Sequence, residues 1–226
     1  MHTPRIYSFR EIIRTVISLP TWHALRTHYI GQEGWEASRR SRKSEQFGRP
    51  IPWWPYSAVS FVQQIVPTSA RILEIGAGNS SLWWAHRGNR TTAIEDSAEW
   101  ASSLVAKASA ELVPLEIIEA NIDECNPFCL GLDRDFDVLV VDHSGDRPKA
   151  IERFLPFLNP NSFVILDNSD RAEYASAREL LLTRGYQVVD FFGLGPINAF
   201  GTMTSVFFKQ ALGAKGIHAI FNTVAN

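Results

Sequence analysis

The chain has 226 residues, of which 45% are hydrophobic and 20% charged, and its formal net charge at pH 7 is −2. This length and composition are those of a globular protein that buries a full core, and one domain with an N-terminal extension is expected. A net charge so close to zero gives no basis for predicting nucleic-acid or membrane binding.

The N-terminal fifth differs chemically from the rest. Residues 1–50 hold nine Arg or Lys against four Asp or Glu, so the remainder is acidic. Residues 9–19 place apolar side chains at helical spacing, which predicts an amphipathic helix that packs on the domain or on a second copy in a homodimer. Residues 37–50 are polar and basic without periodicity, which predicts a mobile loop or linker. The main domain is predicted over residues 51–212, followed by a tail over 213–226.

No apolar run approaches the ~20 residues that a membrane-spanning helix needs, and the first thirty residues lack the apolar stretch of a secretory signal. A cytoplasmic protein without a membrane span is therefore expected. Cys125 and Cys129 are the only cysteines. Two thiols indicate neither a disulfide framework nor, without nearby histidines, a zinc site.

From Arg71 onward, short β-rich runs alternate with helical stretches, which predicts an α/β fold: a Rossmann-like, doubly wound and mostly parallel sheet. The last two runs are joined by "GLGPINAFG", which has no helical pattern, so a C-terminal antiparallel strand is expected. The predicted strands cover residues 71–75, 91–95, 115–119, 136–142, 162–167, 186–191 and 203–208. The predicted helices cover residues 80–87, 97–110, 148–158 and 171–184.

The stretch "RILEIGAGNSS" combines a buried strand, a glycine turn and a helix start. Gly76 and Gly78 give the turn its backbone freedom, and Asn79 and Ser80 suit a helix N-terminus that offers free N–H groups to a ligand. Glu95 ends the next strand 19 residues after Gly76, about where an acid meets a ribose hydroxyl in nucleotide-binding folds. To this point, NAD enzymes and methyltransferases share the pattern.

Glu74 separates the two classes. A dinucleotide fold needs only an apolar residue at this position, whereas a cofactor with an amino-acid moiety offers an ammonium group to a carboxylate. Ser80 and Ser81 also stand where a dinucleotide site would place its third glycine. The residues favour a cofactor of the second kind, and an NAD-type oxidoreductase is the alternative.

The stretch "LEIGAGNSS" resembles the first motif of the class I S-adenosylmethionine-dependent methyltransferases, and the resemblance continues through "TTAIED", "FDVLVVDHSG" and "FVILDNSD". It covers roughly residues 50–210, and "IPWWPY" and "LDNSDR" narrow it to a bacterial branch of that superfamily. It implies a seven-stranded fold, S-adenosylmethionine as cofactor and methyl transfer to a small-molecule acceptor, with oxygen as the expected acceptor atom. The cofactor-binding residues that it implies are Glu74, Gly76, Ala77, Gly78, Asn79, Ser80, Glu95, Asp96, Asn121, Ile122, Asp142, Trp53 and Tyr56.

Methyl transfer requires an aligned acceptor and, for a hydroxyl, removal of its proton. The catalytic candidates are Asp142 and His143 after the fourth strand and Asp167 after the fifth. His143 has the near-neutral pKa range that suits a general base, but a loop histidine without a role fits the sequence equally well. The lack of an unmistakable catalytic constellation keeps open a third hypothesis, a cofactor-binding protein without methyl transfer.

Asp142, Asp167 and Asn168 resemble the divalent-metal ligands of the catechol and caffeoyl-coenzyme A type O-methyltransferases. Three oxygen ligands from adjacent strand ends would suit Mg²⁺. The pattern departs from those families at "HSGDRPK", and the alternative is that both aspartates position the acceptor or cap helices. The basic run at residues 39–43 is short and lacks interleaved aromatic residues, so no nucleic-acid partner is expected.

Overall fold

A computed structural model describes residue 10 and residues 19–209 of the chain. The amphipathic helix predicted over residues 9–19 lies outside the described residues except at its positions 10 and 19. The predicted tail over residues 213–226 lies outside them entirely. A seven-stranded sheet is the centre of the described part.

The sheet has the predicted doubly wound, mostly parallel topology. Its strands are β1 (Arg71–Ile75), β2 (Arg90–Glu95), β3 (Leu115–Glu119), β4 (Phe136–Val141), β5 (Leu158–Asp167), β6 (Gln187–Gly193) and β7 (Thr202–Phe208). Their spatial order is β3-β2-β1-β4-β5-β7-β6. The first five strands run parallel, and β7 is antiparallel to both β5 and β6. The connection from β6 to β7 is too short for the crossover that a parallel pair needs.

The helices agree with the prediction to within a few residues, apart from the one predicted over 148–158. That helix stops at Phe154 and continues as a 3₁₀ turn, Leu155–Phe157, because Pro156 cannot extend it. In the described part of the chain, every helix is too short or too polar to span a membrane. The helices are α1 (Leu19–Leu25, continued by the π-helical Arg26–Gln32), α2 (Trp35–Ser41), α3 (Tyr56–Ile65), α4 (Asn79–His86), α5 (Ala98–Ala110), α6 (Arg147–Phe154) and α7 (Ala175–Thr183).

The central strands are apolar on both faces because helices cover both. Ile72 and Val140 pack with α3 and Trp84 on one face, whereas Leu73 and Leu139 pack with α6 and α7 on the other. Successive residues of a strand point to opposite faces, so Glu74 shares the face of Ile72. A carboxyl group therefore occupies a position inside the sheet where its neighbours are aliphatic.

The prediction of a mobile loop or linker over residues 37–50 is wrong. Residues 37–41 belong to α2, and Glu45–Gln46 pairs with Arg49–Pro50 in a short antiparallel hairpin. Arg39 and Arg40 lie in the helix but are exposed, so an ordered segment has the polar, basic composition of a loop.

Buried serines hold α2 and the hairpin, together called the N-terminal layer, in place. The Ser38 hydroxyl donates to the Lys43 carbonyl at 2.5 Å, and the Ser44 hydroxyl donates to the Ile51 carbonyl at 2.8 Å. The side-chain amide of Asn79, at the start of α4, donates to the Ser44 carbonyl at 2.8 Å. Hydrogen bonds of this layer therefore extend past the predicted boundary at residue 50, to Ile51 and to Asn79 at the start of α4.

Candidate functional site

The Gly-Ala-Gly turn after β1 lies directly against the end of β4. Gly76 has φ = 91°, a conformation that favours glycine. A Cβ atom there would lie 2.6 Å from the Asp142 carbonyl oxygen and 2.9 Å from the His143 nitrogen. The Gly76 N–H donates to the Ile94 carbonyl at 2.9 Å, so the turn is also tied to β2. The carboxyl ends of three parallel strands thus meet here, as expected for a ligand site in such a sheet.

Glu74 is fully buried beneath this turn. Its two carboxyl oxygens accept hydrogen bonds from the Ser80 hydroxyl at 2.5 Å and the Ser81 hydroxyl at 2.6 Å, both in the first turn of α4. The Gly78 N–H in turn donates to the Ser81 hydroxyl oxygen at 3.0 Å. Glu74 therefore fixes the start of α4 relative to the glycine turn.

Burial is the main reason that the pKa of Glu74 is raised to about 8. The Ser80 and Ser81 hydroxyls oppose this rise, and the nearby Asp142 and Glu95 carboxylates contribute to it. A carboxyl group with this pKa is mostly protonated near pH 7. A cation that approaches it would favour the ionised form.

Glu95 lies at the turn, as the spacing predicts. Its carboxylate accepts from the Ala77 N–H at 3.0 Å and from the Ser97 N–H at 2.9 Å. Burial raises its pKa, and the exposed neighbour Asp96 contributes to the rise. The sequence correctly brings Glu95 together with the first motif, and each carboxylate oxygen keeps a second lone pair for a ligand hydroxyl.

Trp100, on α5, covers the other side of the turn. Its indole N–H donates to the Ala77 carbonyl at 2.7 Å, and 47% of the residue stays exposed. An indole held in this way presents a flat apolar face beside the glycines.

The loop after β3 contains Asn121 and Ile122, which the resemblance implies as cofactor-binding residues. The Ile122 side chain is only 1% exposed and packs in the main core, and the Asn121 amide donates to Glu124 at 3.1 Å. Asp123 approaches the loop after β4: its carboxylate accepts from the Asp146 N–H at 3.1 Å. Sequence reasoning missed Asp123, and its only sequence signal is its place just after Asn121.

Asp142 and Asp167 lie together at the ends of β4 and β5, and the buried side chain of Arg147 contacts both residues. The guanidinium donates to an Asp142 carboxylate oxygen at 2.9 Å, to the Asp167 carbonyl at 2.5 Å and, through Nε, to the His143 carbonyl at 2.8 Å. Its Cζ atom lies 4.5 Å from the centre of the Tyr174 ring. Arg147 thereby ties the ends of both strands to α6.

The two aspartates are held in different environments. Asp167 is almost fully buried, and a carboxylate oxygen accepts from the Thr204 hydroxyl at 2.5 Å. Burial, and then repulsion from Asp142, raises the pKa of Asp167 well above its ordinary value. Burial also raises the pKa of Asp142, whereas the adjacent Arg147 lowers it.

The predicted Mg²⁺ ligands do not fit a metal. A cation on the Asp142 oxygen that accepts from Arg147 would lie within about 5 Å of the donating guanidinium nitrogen, given metal–oxygen distances of ~2.1 Å. The +2 charge of the metal ion and the +1 charge of the guanidinium at that separation repel by about 7 kcal/mol at an effective dielectric constant of ~20. Asn168 is half-buried with φ = 48°, a turn conformation that asparagine tolerates. Within residues 19–209, no group of three His, Cys, Asp or Glu side chains is arranged to hold a metal ion.

His143 is buried beside the turn. Neither ring nitrogen has a hydrogen-bond partner among the described residues, and Nε2 lies 3.7 Å from an Asp123 carboxylate oxygen. Burial, and then the charge of Arg147, lowers the pKa of His143. The imidazole is therefore neutral near pH 7 and chemically able to accept a proton.

The aromatic residues of "IPWWPY" separate into exposed and buried members. Trp53 is 48% exposed, whereas Tyr56 is 4% exposed and its N–H donates to the Leu194 carbonyl at 3.0 Å. Burial and the nearby Glu33 raise the pKa of Tyr56, and its hydroxyl has no partner in the described part of the chain. Tyr56 thus anchors the loop between β6 and β7, and Trp53 is the member open to solvent.

A surface cavity of about 710 Å³ lies between the loop after β4 and the start of α7, with Ser144, Gly145 and Tyr174 among its lining residues. It begins one residue after His143. A small molecule therefore has room next to the end of β4.

Three carboxyl groups converge on the glycine turn. Glu74, Glu95 and Asp142 approach it from β1, β2 and β4, and Arg147 pairs with Asp142 alone. A pyrophosphate placed here would face these carboxylates, whereas a cationic ligand would be attracted to them. The arrangement suits a ligand that combines positive charge with hydroxyl groups.

No protein-family model matches the chain, and no curated protein matches it. Among solved structures, it is similar to the O-methyltransferase TomG of Streptomyces achromogenes, involved in tomaymycin synthesis and solved with SAM (18% identity, 86% of this chain and 100% of that chain, TM-score 0.59). It is also similar to an O-methyltransferase of Bacillus cereus in complex with SAH (16% identity, 83% and 96%, TM-score 0.59). A methyltransferase of Pyrococcus furiosus aligns at 18% identity over 80% and 98% of the two chains, with a TM-score of 0.59. These similarities confirm the Rossmann-like fold that the resemblance implies.

Gly76→Ala is expected to destabilise the protein by more than 3 kcal/mol, because the added methyl group meets backbone atoms of β4 that cannot move aside. Gly88→Ala is the matched control: its φ is 90°, but nothing lies within 4 Å of the added carbon. Backbone strain alone gives that control a loss of about 1–2 kcal/mol. Urea unfolding of both variants measures the difference, and equal losses would contradict the close contact of the turn with β4.

The raised pKa of Glu74 predicts a pH-dependent stability. Between pH 4.5 and about 8 the folded protein retains a proton that the unfolded chain has released, so this group's stabilisation is lost as pH rises through that window. Wild type should lose on the order of 4 kcal/mol relative to Glu74→Gln across it. Urea unfolding from pH 5 to 8 measures this, with the exposed Glu99→Gln as control. Parallel profiles for wild type and Glu74→Gln would show that Glu74 is not perturbed.

Proposed function

We propose that the protein is an S-adenosylmethionine-dependent methyltransferase that methylates a small-molecule acceptor at oxygen. The observation that carries the proposal is the convergence of Glu74, Glu95 and Asp142 on the glycine turn of this fold. S-adenosylmethionine carries a sulfonium and an ammonium group, and both are attracted to such a cluster. The SAM and SAH complexes of the O-methyltransferases from Streptomyces achromogenes and Bacillus cereus support this cofactor.

The same charges oppose the alternative of an NAD-type oxidoreductase. A dinucleotide places its pyrophosphate at the helix N-terminus after the first strand. Here Glu74 lies beneath that position, and its carboxyl group accepts from the Ser80 and Ser81 hydroxyls in the first turn of α4. An anionic ligand would be repelled by Glu95 and by the ionised form of Glu74.

Each polar group at the turn has a role in binding. Glu95 accepts hydrogen bonds from the ribose hydroxyls, and Trp100 and Ala77 form the wall beside the nucleoside. Asn79 and Ser80 hold the start of α4, to which Glu74 is bonded. Asp96, which is exposed next to Glu95, and Gly78 also border the proposed cofactor site.

The bound cofactor supplies the activated methyl group, so the chain has to align the acceptor and remove its proton. His143 is the proposed general base, because its ring nitrogens have no partner in the described part of the chain and its backbone lies against the glycine turn. The acceptor hydroxyl would give its proton to one ring nitrogen as the methyl group transfers. Asp142 and Asp167 orient this edge of the sheet.

Calorimetric titration with S-adenosylhomocysteine tests the cofactor. Saturable 1:1 binding is expected, with no binding of NAD at the same concentration. Glu95→Gln should weaken it roughly 10- to 100-fold, since hydrogen bonds to a charged group contribute ~1.5–3 kcal/mol. The exposed Glu99→Gln should leave it unchanged. Saturable NAD binding without a response to S-adenosylhomocysteine would overturn the proposal.

A panel of phenols, catechols and aliphatic alcohols tests methyl transfer by S-adenosylhomocysteine release. His143→Gln should lower turnover with little effect on cofactor affinity. Cofactor binding without transfer to any acceptor would favour a cofactor-binding protein without methyltransferase activity.

A further inference from the structure

Arg147 occupies an unusual position for a cation. It is the first residue of α6, where the helix dipole opposes positive charge, and it is only 4% exposed. A buried arginine in such a position needs specific compensation. Asp142 provides the opposite charge, and the Tyr174 ring covers the face of the guanidinium.

Arg147 bridges the ends of two neighbouring strands. The guanidinium binds a carboxylate oxygen at the end of β4 and a backbone oxygen at the end of β5, and Nε binds the carbonyl that follows Asp142. Of these acceptors, the Asp142 carboxylate oxygen belongs to the predicted metal-ligand set, whereas Asp167 is bound through its backbone carbonyl. The arginine therefore places a positive charge on the carboxylate that a divalent cation would need as a ligand.

We propose that the Arg147 guanidinium replaces a divalent cation in this chain: it neutralises Asp142 and fixes its carboxylate beside the glycine turn, so cofactor binding and methyl transfer need no metal. This inference rests on the proposed methyltransferase function. Arg147 is a positioning residue that acts through Asp142, whose side chain is 25% exposed against 4% for that of Arg147.

The wild-type protein provides the first test. Titration with Mg²⁺ and with Mn²⁺ should give no saturable heat and should shift the melting temperature by less than about 1 °C. The affinity for S-adenosylhomocysteine should agree within twofold in Mg²⁺ and in EDTA. One-site metal binding, or a loss of cofactor affinity in EDTA, would overturn the proposal. The metal titrations do not depend on the cofactor, so a failure of the proposed function would show separately as absent S-adenosylhomocysteine binding.

Removal of the arginine provides the second test. Arg147→Ala leaves Asp142 and the β5 end without their cation, so Mn²⁺ should raise its melting temperature and EDTA should reverse the rise. The double variant Arg147→Ala/Asp142→Asn should lose this response. Without metal, Arg147→Ala should bind S-adenosylhomocysteine at least 10-fold more weakly than wild type.

Arg171→Ala is the matched control, because Arg171 also approaches the Tyr174 ring, at 6.0 Å, and its charge also lowers the pKa of Asp142, but it is exposed and does not donate a hydrogen bond to Asp142. It should gain no response to Mn²⁺ and should keep cofactor affinity within threefold of wild type. A response to Mn²⁺ in Arg171→Ala equal to that of Arg147→Ala would contradict the assignment.

Arg147→Lys keeps the proposal testable if Arg147→Ala does not fold. Lysine retains the charge but not the planar fork that reaches three oxygens at once. A folded Arg147→Lys protein should bind S-adenosylhomocysteine at least threefold more weakly, with no gain in metal binding. Unchanged affinity in this variant would show that the position of Asp142 does not depend on Arg147.

Discussion

Negative charge confined at the carboxyl edge of a parallel sheet is the constraint on which this site depends. Glu74, Glu95 and Asp142 end or interrupt strands that are otherwise aliphatic, and burial raises the pKa of each. Each is stabilised by a different chemical group. Serine hydroxyls donate hydrogen bonds to Glu74, backbone N–H groups donate to Glu95, and a guanidinium donates to Asp142. These partners come from α4, the turn and α6, so the helix starts are positioned by the same interactions that hold the carboxyl groups.

Close backbone packing makes this arrangement possible. Gly76 allows β1 and β4 to approach until the turn touches the peptide between Asp142 and His143. The N-terminal layer adds a second restraint, because Asn79 at the start of α4 is bonded to Ser44. The candidate site is therefore part of the packing of the domain, and a change in the turn affects stability and ligand geometry together.

The sheet was accessible to sequence reasoning because parallel strands buried on both faces leave short apolar runs separated by helical periods. The turn and Glu95 were predicted from their spacing alone, and both lie where expected. The order of residues 37–50 was not accessible, since serine hydroxyls and backbone carbonyls produce it and leave no apolar period. The resemblance implies Ile122 as a cofactor contact, and the burial of its side chain in the core is a feature that only the packing reveals.

Arg147 illustrates a different limit of the sequence. Its one signal is a basic residue in the first position of a helix, against the helix dipole. The aspartates that it serves lie on either side of it along the chain, at the ends of two strands. A pattern of acids at strand ends suggests a metal site whether or not a cation from the chain itself already lies between them. Distinguishing the two requires knowing where the arginine points.

The balance of charge links these features to the choice of ligand. The pair of Arg147 and Asp142 is neutral, and Glu74 is partly protonated, which leaves Glu95 as the main uncompensated charge at the turn. A ligand with cationic groups adds positive charge where it is lacking and draws Glu74 toward its ionised form. A divalent metal at Asp142 would instead add positive charge beside a guanidinium that already compensates it. The same electrostatic argument thus favours a sulfonium cofactor at the turn and disfavours a metal a few ångströms away.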